Sequence, residues 1–349
     1  MKAIYINAPG EVEIRETEMP RRRPGEALLK LLYGGICGSD LGSYRGTFAY
    51  FNYPRIPGHE FSAEIVEIDE NPEGLKKGDV VTCNPYFNCG RCYSCRRGLV
   101  NACMDNQTMG CQRDGAFREY ITMPVERIYS GKGVSARNLA IIEPFCIGYH
   151  GAQLAQIRPG DKVLVMGTGT IGVLSASSAK AMGAEVYVCD ISPFKLQYAQ
   201  EHFGFDGVIL NDKPGALEKT AAEITGVTDV DGVPQINGFD VCIEAVGLPE
   251  TFQNCIDMAA FGGRVVLIGV SKKSLEFNFT QLQKKELHVS GSRNALKKDF
   301  LELIDLTRDG IIHPESAVTH TFPFTQAPEA FREFDENNGR MLKVLLDFT

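Results

Sequence analysis

Two hydrophobic patterns divide the chain. Over the first third, apolar and polar residues alternate in short runs separated by turns, at residues 2–6, 11–15, 26–33, 62–68 and 79–83. That alternation predicts half-buried strands of an irregular β domain. From about Gly148 the pattern changes. Lys162-Val163-Leu164-Val165-Met166 is a continuous apolar run of buried-strand type, and a helical stretch at 173–182 ends at Gly183. Apolar strands at 185–189, 207–210, 239–245 and 264–270 then alternate with helices that start at Ser192-Pro193 and run to 203, and at 214–225 and 249–260. Strands separated by helices imply a parallel, doubly wound sheet. Residues 226–238, rich in Gly, Asp and Pro, read as a surface loop. After about Asn294 the pattern gives a helix at 300–307, a strand near 318–322, a helix at 327–334 and an apolar strand at 342–348. A terminal strand of this kind is expected to return to the first domain. The expected class is α/β, with a catalytic domain over 1–147 and 295–349 and an inserted dinucleotide-binding domain over 148–294.

The inserted part carries the first candidate chemistry. Gly167-Thr168-Gly169-Thr170-Ile171-Gly172 follows an apolar strand, opens a helix and precedes an acid, Asp190, at the end of the next strand, 18 residues after Gly172. Alone the glycine pattern is weak, but this context makes it a dinucleotide signature. The glycines let the backbone approach a pyrophosphate at the helix N-terminus, and Asp190 holds a ribose 2′-hydroxyl. An acid there repels a 2′-phosphate, which favours NAD over NADP.

Two cysteine patterns suggest metals. Cys89, Cys92, Cys95 and Cys103 have the spacing C-x2-C-x2-C-x7-C, and four thiols close a tetrahedral zinc shell with no position left for a substrate. This predicts a structural zinc in a lobe at about 84–110. An iron–sulfur cluster is disfavoured because no proline follows the fourth cysteine. Elsewhere Cys37, in Gly35-Ile36-Cys37-Gly38-Ser39-Asp40, His59, in Pro57-Gly58-His59-Glu60, and Glu143, in an acidic turn Ile142-Glu143-Pro144, come from three separate segments. Three protein ligands plus water make a catalytic zinc site. A lone cysteine or histidine is more often a core residue, but His59 followed directly by Glu60 favours a metal corner. Asp40 then fits as a carboxylate supporting the imidazole, against an exposed turn residue. Cys83 and Cys111 fall outside the spacing, and Cys189, Cys242 and Cys255 read as buried core. The arginine run Arg21-Arg22-Arg23 lies between prolines and reads as a solvated loop.

Composition narrows the class. With 349 residues, 44% of them hydrophobic, the chain can build two cores. A net charge of −8 argues against a nucleic-acid or anionic-membrane surface. No apolar run reaches the roughly 18 residues of a membrane span, and the first residues read as a strand rather than a signal peptide. A cytoplasmic protein with a small-molecule partner is expected. The odd count of eleven cysteines favours reduced thiols.

Taken together, these stretches resemble the zinc-dependent medium-chain alcohol dehydrogenases over essentially the whole chain. They are most similar to the sorbitol, threonine and sugar-acid (L-galactonate-like) branch. The resemblance rests on the segments around Cys37, His59 and Glu143, the four-cysteine lobe, Gly167 to Gly172, and Gly291-Ser292-Arg293-Asn294. It implies a GroES-like catalytic domain with an inserted Rossmann domain, and a catalytic zinc on Cys37, His59 and one or both of Glu60 and Glu143. It further implies that Ser39 hydrogen-bonds the substrate hydroxyl, that Asp40 supports His59 and that Arg293 lies near the substrate. Lys343 would face the cofactor pyrophosphate, with Thr170, Ile171, Lys195, Val246, Gly269 and Ser292 also at the cofactor. Relatives are homodimers or homotetramers. Where many carry a histidine that extends the proton relay, this chain has Gly42. The expected reaction is NAD-linked interconversion of a secondary alcohol of a polyol or sugar acid with its ketone. A threonine- or butanediol-type dehydrogenase, or a non-catalytic zinc and NAD redox sensor, are the alternatives. A metal-free reductase on the same fold is disfavoured, since such relatives lack the zinc ligands. Phe48, Tyr50, Phe51, Phe87 and Phe117 would serve as pocket walls or as core.

Overall fold

The axis of the first unit is the strand Glu26–Ile36, whose Leu29, Leu31 and Ile36 are fully buried. In this computed structural model, which describes residues 1–337 and 339–349, it lies within a seven-stranded sheet. One edge of the strand is shared: Tyr120–Pro124 pairs with its first half and Lys343–Asp347 with its second, both antiparallel. The other edge takes Glu60–Glu67, followed outward by Val80–Cys83 and Ile128–Ser130. Val318–Pro323 lies beyond Lys343–Asp347. The C-terminal strand therefore does return to the first unit, which comprises Met1–Cys146 and Asn294–Thr349. Ile4, Ile6, Leu31, Phe61, Phe117 and Phe331 form its core.

The second unit, Ile147–Arg293, is a six-stranded parallel sheet. Its order is Gly207–Leu210, Glu185–Asp190, Lys162–Met166, Phe239–Glu244, Ala259–Leu267 and His288–Gly291. The chain winds outward from Lys162–Met166 and then reverses past Phe239–Glu244. Sheets of this type bind ligands where the order reverses, at the carboxyl ends of the strands. Cys189, Cys242 and Cys255 are buried in this unit's core, where apolar neighbours favour a small, uncharged thiol.

Four local expectations are corrected. Residues 226–238 contain a hairpin, Val227–Val230 paired with Val233–Ile236. Its turn is Asp231-Gly232, both with positive φ (54° and 80°), and Asp-Gly is a strong two-residue hairpin signal. Composition alone had hidden it. Ile142-Glu143-Pro144 is the first turn of the helix Ile142–Leu154 rather than a free acidic turn, a place where proline's missing N–H costs nothing. The helix after the glycine loop starts at Thr170, earlier than 173, because Gly169 already serves as its N-cap. The apolar strand expected at 264–270 is Ala259–Leu267 and is interior, since His288–Gly291 covers its outer side. No helix among the described residues is long and apolar enough to cross a membrane.

Candidate functional site

The metal-ligand candidates lie at one end of the first unit's sheet. Cys37 follows the end of strand Glu26–Ile36 and caps the short helix Gly38–Tyr44. His59 and Glu60 stand where strand Glu60–Glu67 begins, and the register pairs Glu60 with Gly35. Glycine at 35 leaves room for the Glu60 carboxylate, because a Cβ there would come within 2.2 Å of Glu60 Oε2. Ligand atoms of Cys37, His59 and Glu60 lie within 4.8 Å of one another.

Asp40, buried beneath these segments, accepts hydrogen bonds from the backbone N–H of Cys37 (2.9 Å) and of Gly58 (3.2 Å). It therefore ties the two ligand segments together through their backbones. It makes no hydrogen bond to His59 Nδ1, which is buried without a partner among the described residues, and acts on the ring through its charge. Burial raises the Asp40 pKa, against the opposing pull of His59. Burial pulls the His59 pKa down, but Cys37, Asp40 and Glu143 outweigh it and hold the ring well above its ordinary value. An imidazole crowded by anionic groups, with an unused nitrogen, fits a bound cation.

Lys343 brings a second correction. It opens strand Lys343–Asp347, whose Val344 pairs with Ile36, and this register carries its ammonium to Glu60. Nζ donates to Glu60 Oε2 at 2.6 Å, to Oε1 at 2.8 Å and to the Ile36 carbonyl at 3.1 Å. The side chain expected to face a pyrophosphate is thus buried against a ligand candidate. Burial lowers its pKa, but Glu60 and Cys37 more than restore it, so the net shift is upward.

Glu143 is also buried and lies outside the Cys37–His59–Glu60 set. Burial pushes it up to about 7, and the buried Tyr86 hydroxyl donates to its Oε1. Tyr86 escaped the sequence reading, because a lone tyrosine outside any motif carries no local signal. Ser39 Oγ is buried and has no hydrogen-bond partner among the described residues. Phe51 and Phe117 belong to the core, Phe48 and Phe87 pack against it, and Tyr50 is exposed.

In the lobe, the sulfurs of Cys89, Cys92, Cys95 and Cys103 form a second set within 4.8 Å. The backbone N–H of Cys89 points at Cys103 Sγ (3.2 Å) and that of Cys92 at Cys89 Sγ (3.3 Å). Backbone N–H groups from Met104 and Cys95 lower the Cys92 thiol to about 6. Amides aimed at sulfur prepare thiolates for a cation. All eleven cysteines are free thiols.

In the second unit the candidate cofactor residues gather at the carboxyl ends of the parallel strands. Gly169, Thr170 and Ile171 form the start of the helix Thr170–Ala181. A Cβ on Gly172 would lie 1.8 Å from the Gly167 carbonyl oxygen, so the turn admits only glycine there. Asp190 is held from both sides: Oδ2 accepts from the Thr168 N–H and hydroxyl, each at 2.8 Å, and Oδ1 from the Ser192 N–H at 2.9 Å. Lys195 lies in the first turn of the helix Pro193–Phe203. Val246, Gly269 and Ser292 each follow a strand of this sheet, with Val246 exposed and Ser292 Oγ buried without a partner among the described residues. Arg293, exposed, comes directly after Ser292. A further residue, Glu244, was missed because it ends an apolar run. Its Oε1 accepts from the N–H groups of Val246 (2.9 Å) and Gly247 (2.8 Å) and from the Thr251 hydroxyl (2.7 Å), which fixes the loop carrying Val246. A tight glycine turn at a helix N-terminus beside a preorganised acid fits a dinucleotide.

A family model described as a zinc-binding dehydrogenase matches residues 170–309, and one described as an alcohol dehydrogenase GroES-like domain matches residues 23–132. The chain is similar to L-galactonate-5-dehydrogenase of Escherichia coli (strain K12), with 33% identity over 350 residues, covering 100% of this chain and 99% of the relative. It is also similar to sorbitol dehydrogenase of Halalkalibacterium halodurans, with 31% identity over 353 residues and 99% of each chain covered. Among solved structures, a short chain alcohol dehydrogenase from Escherichia coli CFT073, complexed with cofactor NADH, matches with a TM-score of 0.89 and 32% identity, covering 99% of both chains.

Proposed function

The chain belongs to the zinc-binding alcohol dehydrogenase family, and we propose that it is an NAD-linked enzyme that interconverts a secondary alcohol of a polyol or sugar acid with its ketone. The observation that carries this is the buried convergence of Cys37, His59 and Glu60 within 4.8 Å. Residues 1–147 and 295–349 form the catalytic domain and residues 148–294 the cofactor domain.

Zinc on Cys37, His59 and Glu60 supplies a Lewis acid for the hydroxyl, and NAD supplies the hydride acceptor. The chain's own residues do the rest. Asp40 keeps the Cys37 and Gly58 backbones in register, and Lys343 compensates the Glu60 charge. Ser39, its hydroxyl free of partners among the described residues, relays the hydroxyl proton: its oxygen takes that proton as its own O–H proton passes on to water. With Gly42 in place of a histidine, no side chain at that position extends the relay. The four-cysteine lobe holds a second, structural zinc. Asp190 binds the ribose and excludes a 2′-phosphate, which supports NAD over NADP.

The substrate class rests on two supports: relatives whose names specify a sugar acid and a polyol, and Arg293, a cation suited to a carboxylate or to many hydroxyls. A homodimer or homotetramer fits the exposed edge of His288–Gly291, and a cytoplasmic location fits eleven reduced cysteines.

The test is NADH formation across polyols, aldonates, amino alcohols and simple diols, with and without a zinc chelator. Chelator-sensitive turnover of polyols or aldonates is expected. Turnover confined to amino alcohols or diols overturns the substrate class. Absence of turnover while zinc and NAD are bound overturns the enzyme assignment.

A further inference from the structure

Two buried acids, Glu60 and Glu143, stand beside one cysteine and one histidine. If both entered the metal set, two carboxylates, a thiolate and an imidazole would close a tetrahedral shell and leave no position for a substrate oxygen. The structure distinguishes them. Glu60 reaches the set with Cys37 and His59, whereas Glu143 lies outside it and receives the Tyr86 hydroxyl.

Glu60 can still ligate while it pairs with Lys343, because each carboxylate oxygen keeps a second lone pair. Tyr86 itself has little freedom. Its N–H donates to Asn84 Oδ1 at 2.9 Å, its carbonyl accepts from Arg127 Nη1, and it pairs across the short strand with Thr108. Its phenol is buried and its backbone is pinned, so the hydroxyl is presented to Glu143 from a fixed point. Glu143 is equally constrained in the first turn of the helix Ile142–Leu154.

We infer that Tyr86 is a positioning residue that holds the Glu143 carboxylate back from the Cys37–His59–Glu60 set and so keeps the fourth metal position open. This rests on the zinc assignment proposed above. Tyr86 touches neither substrate nor cofactor in this role. It acts through Glu143.

The test is cobalt(II) substitution of the full-length protein, followed by visible absorption and by the rate at which a chelator removes the metal. Tyr86→Phe deletes only the hydroxyl and preserves the packing of the ring. It should shift the cobalt bands, as a carboxylate replaces water in the four-coordinate shell, and slow metal removal about tenfold, the lower end of what a ligand-supporting group controls. Combining Tyr86→Phe with Glu143→Gln should restore wild-type bands and removal rate, since the amide is a poor ligand. Unchanged bands and rate in Tyr86→Phe overturn the inference and leave the zinc assignment standing. Faster removal also overturns it, because Tyr86 would then be supporting a ligand rather than withholding one. If the wild-type protein takes up cobalt only in the four-cysteine lobe, the zinc assignment fails and the inference with it.

Discussion

Lys343 Nζ stands 2.6 Å from Glu60 Oε2 across 283 residues of sequence, and both side chains are almost fully buried, at 2% and 1% exposure. A charge pair buried this deeply adds little net stability over an apolar pair, but removing one partner strands the other charge. Lys343→Met should therefore destabilise the metal-stripped protein by about 3–5 kcal/mol. Adding Glu60→Gln should recover much of that loss. Chemical denaturation of the single and double variants checks both; a single variant as stable as wild type would remove the pair from the account.

Glu143 gives a pH dependence with a definite sign. Burial raises its pKa from 4.5 to about 7 in the folded chain. Between those values the folded state binds more protons than the unfolded one, so stability is fullest below 4.5 and declines as pH rises through about 7. Glu143→Gln should flatten this slope in metal-stripped protein. Urea melts at about pH 5 and about pH 7 measure it, and equal slopes in the two proteins would contradict the prediction.

Asp190 is fixed by three donors from Thr168 and Ser192, so it is preorganised for a ribose hydroxyl. Asp190→Ser should weaken NAD binding roughly tenfold, within the range for a hydrogen bond to a charged group, and narrow the preference against NADP. Isothermal titration calorimetry with each cofactor reads the ratio. An unchanged ratio would count against Asp190 as the selector.

The four-cysteine lobe makes a prediction about stoichiometry. Cys103→Ser should reduce zinc from two ions to one per chain and lower the Tm, since a closed structural site contributes folding energy directly. NAD binding should persist, because the glycine loop lies in the other unit. Metal analysis showing two zinc ions in the variant would contradict this.

What could be read from the sequence was what is local along the chain. The four thiols from Cys89 to Cys103 lie within one short segment, and the glycine loop follows its strand directly. Spacing and periodicity therefore sufficed to expose both. The Asp231-Gly232 hairpin was equally local, but a strand pattern of exposed valines has no buried face to announce it. Tertiary structure decided the rest. It put Glu60 rather than Glu143 into one ligand set with Cys37 and His59, brought Lys343 to Glu60, aimed Tyr86 at Glu143 and turned Asp40 toward two backbone amides. The placements of Glu60 and Lys343 follow from register between distant segments, Gly35 with Glu60 and Ile36 with Val344. Because alternate residues of a strand face opposite sides, a slip of one residue would send each of these side chains elsewhere. Cross-strand register is fixed by the packing of the whole sheet and leaves no signature in local spacing.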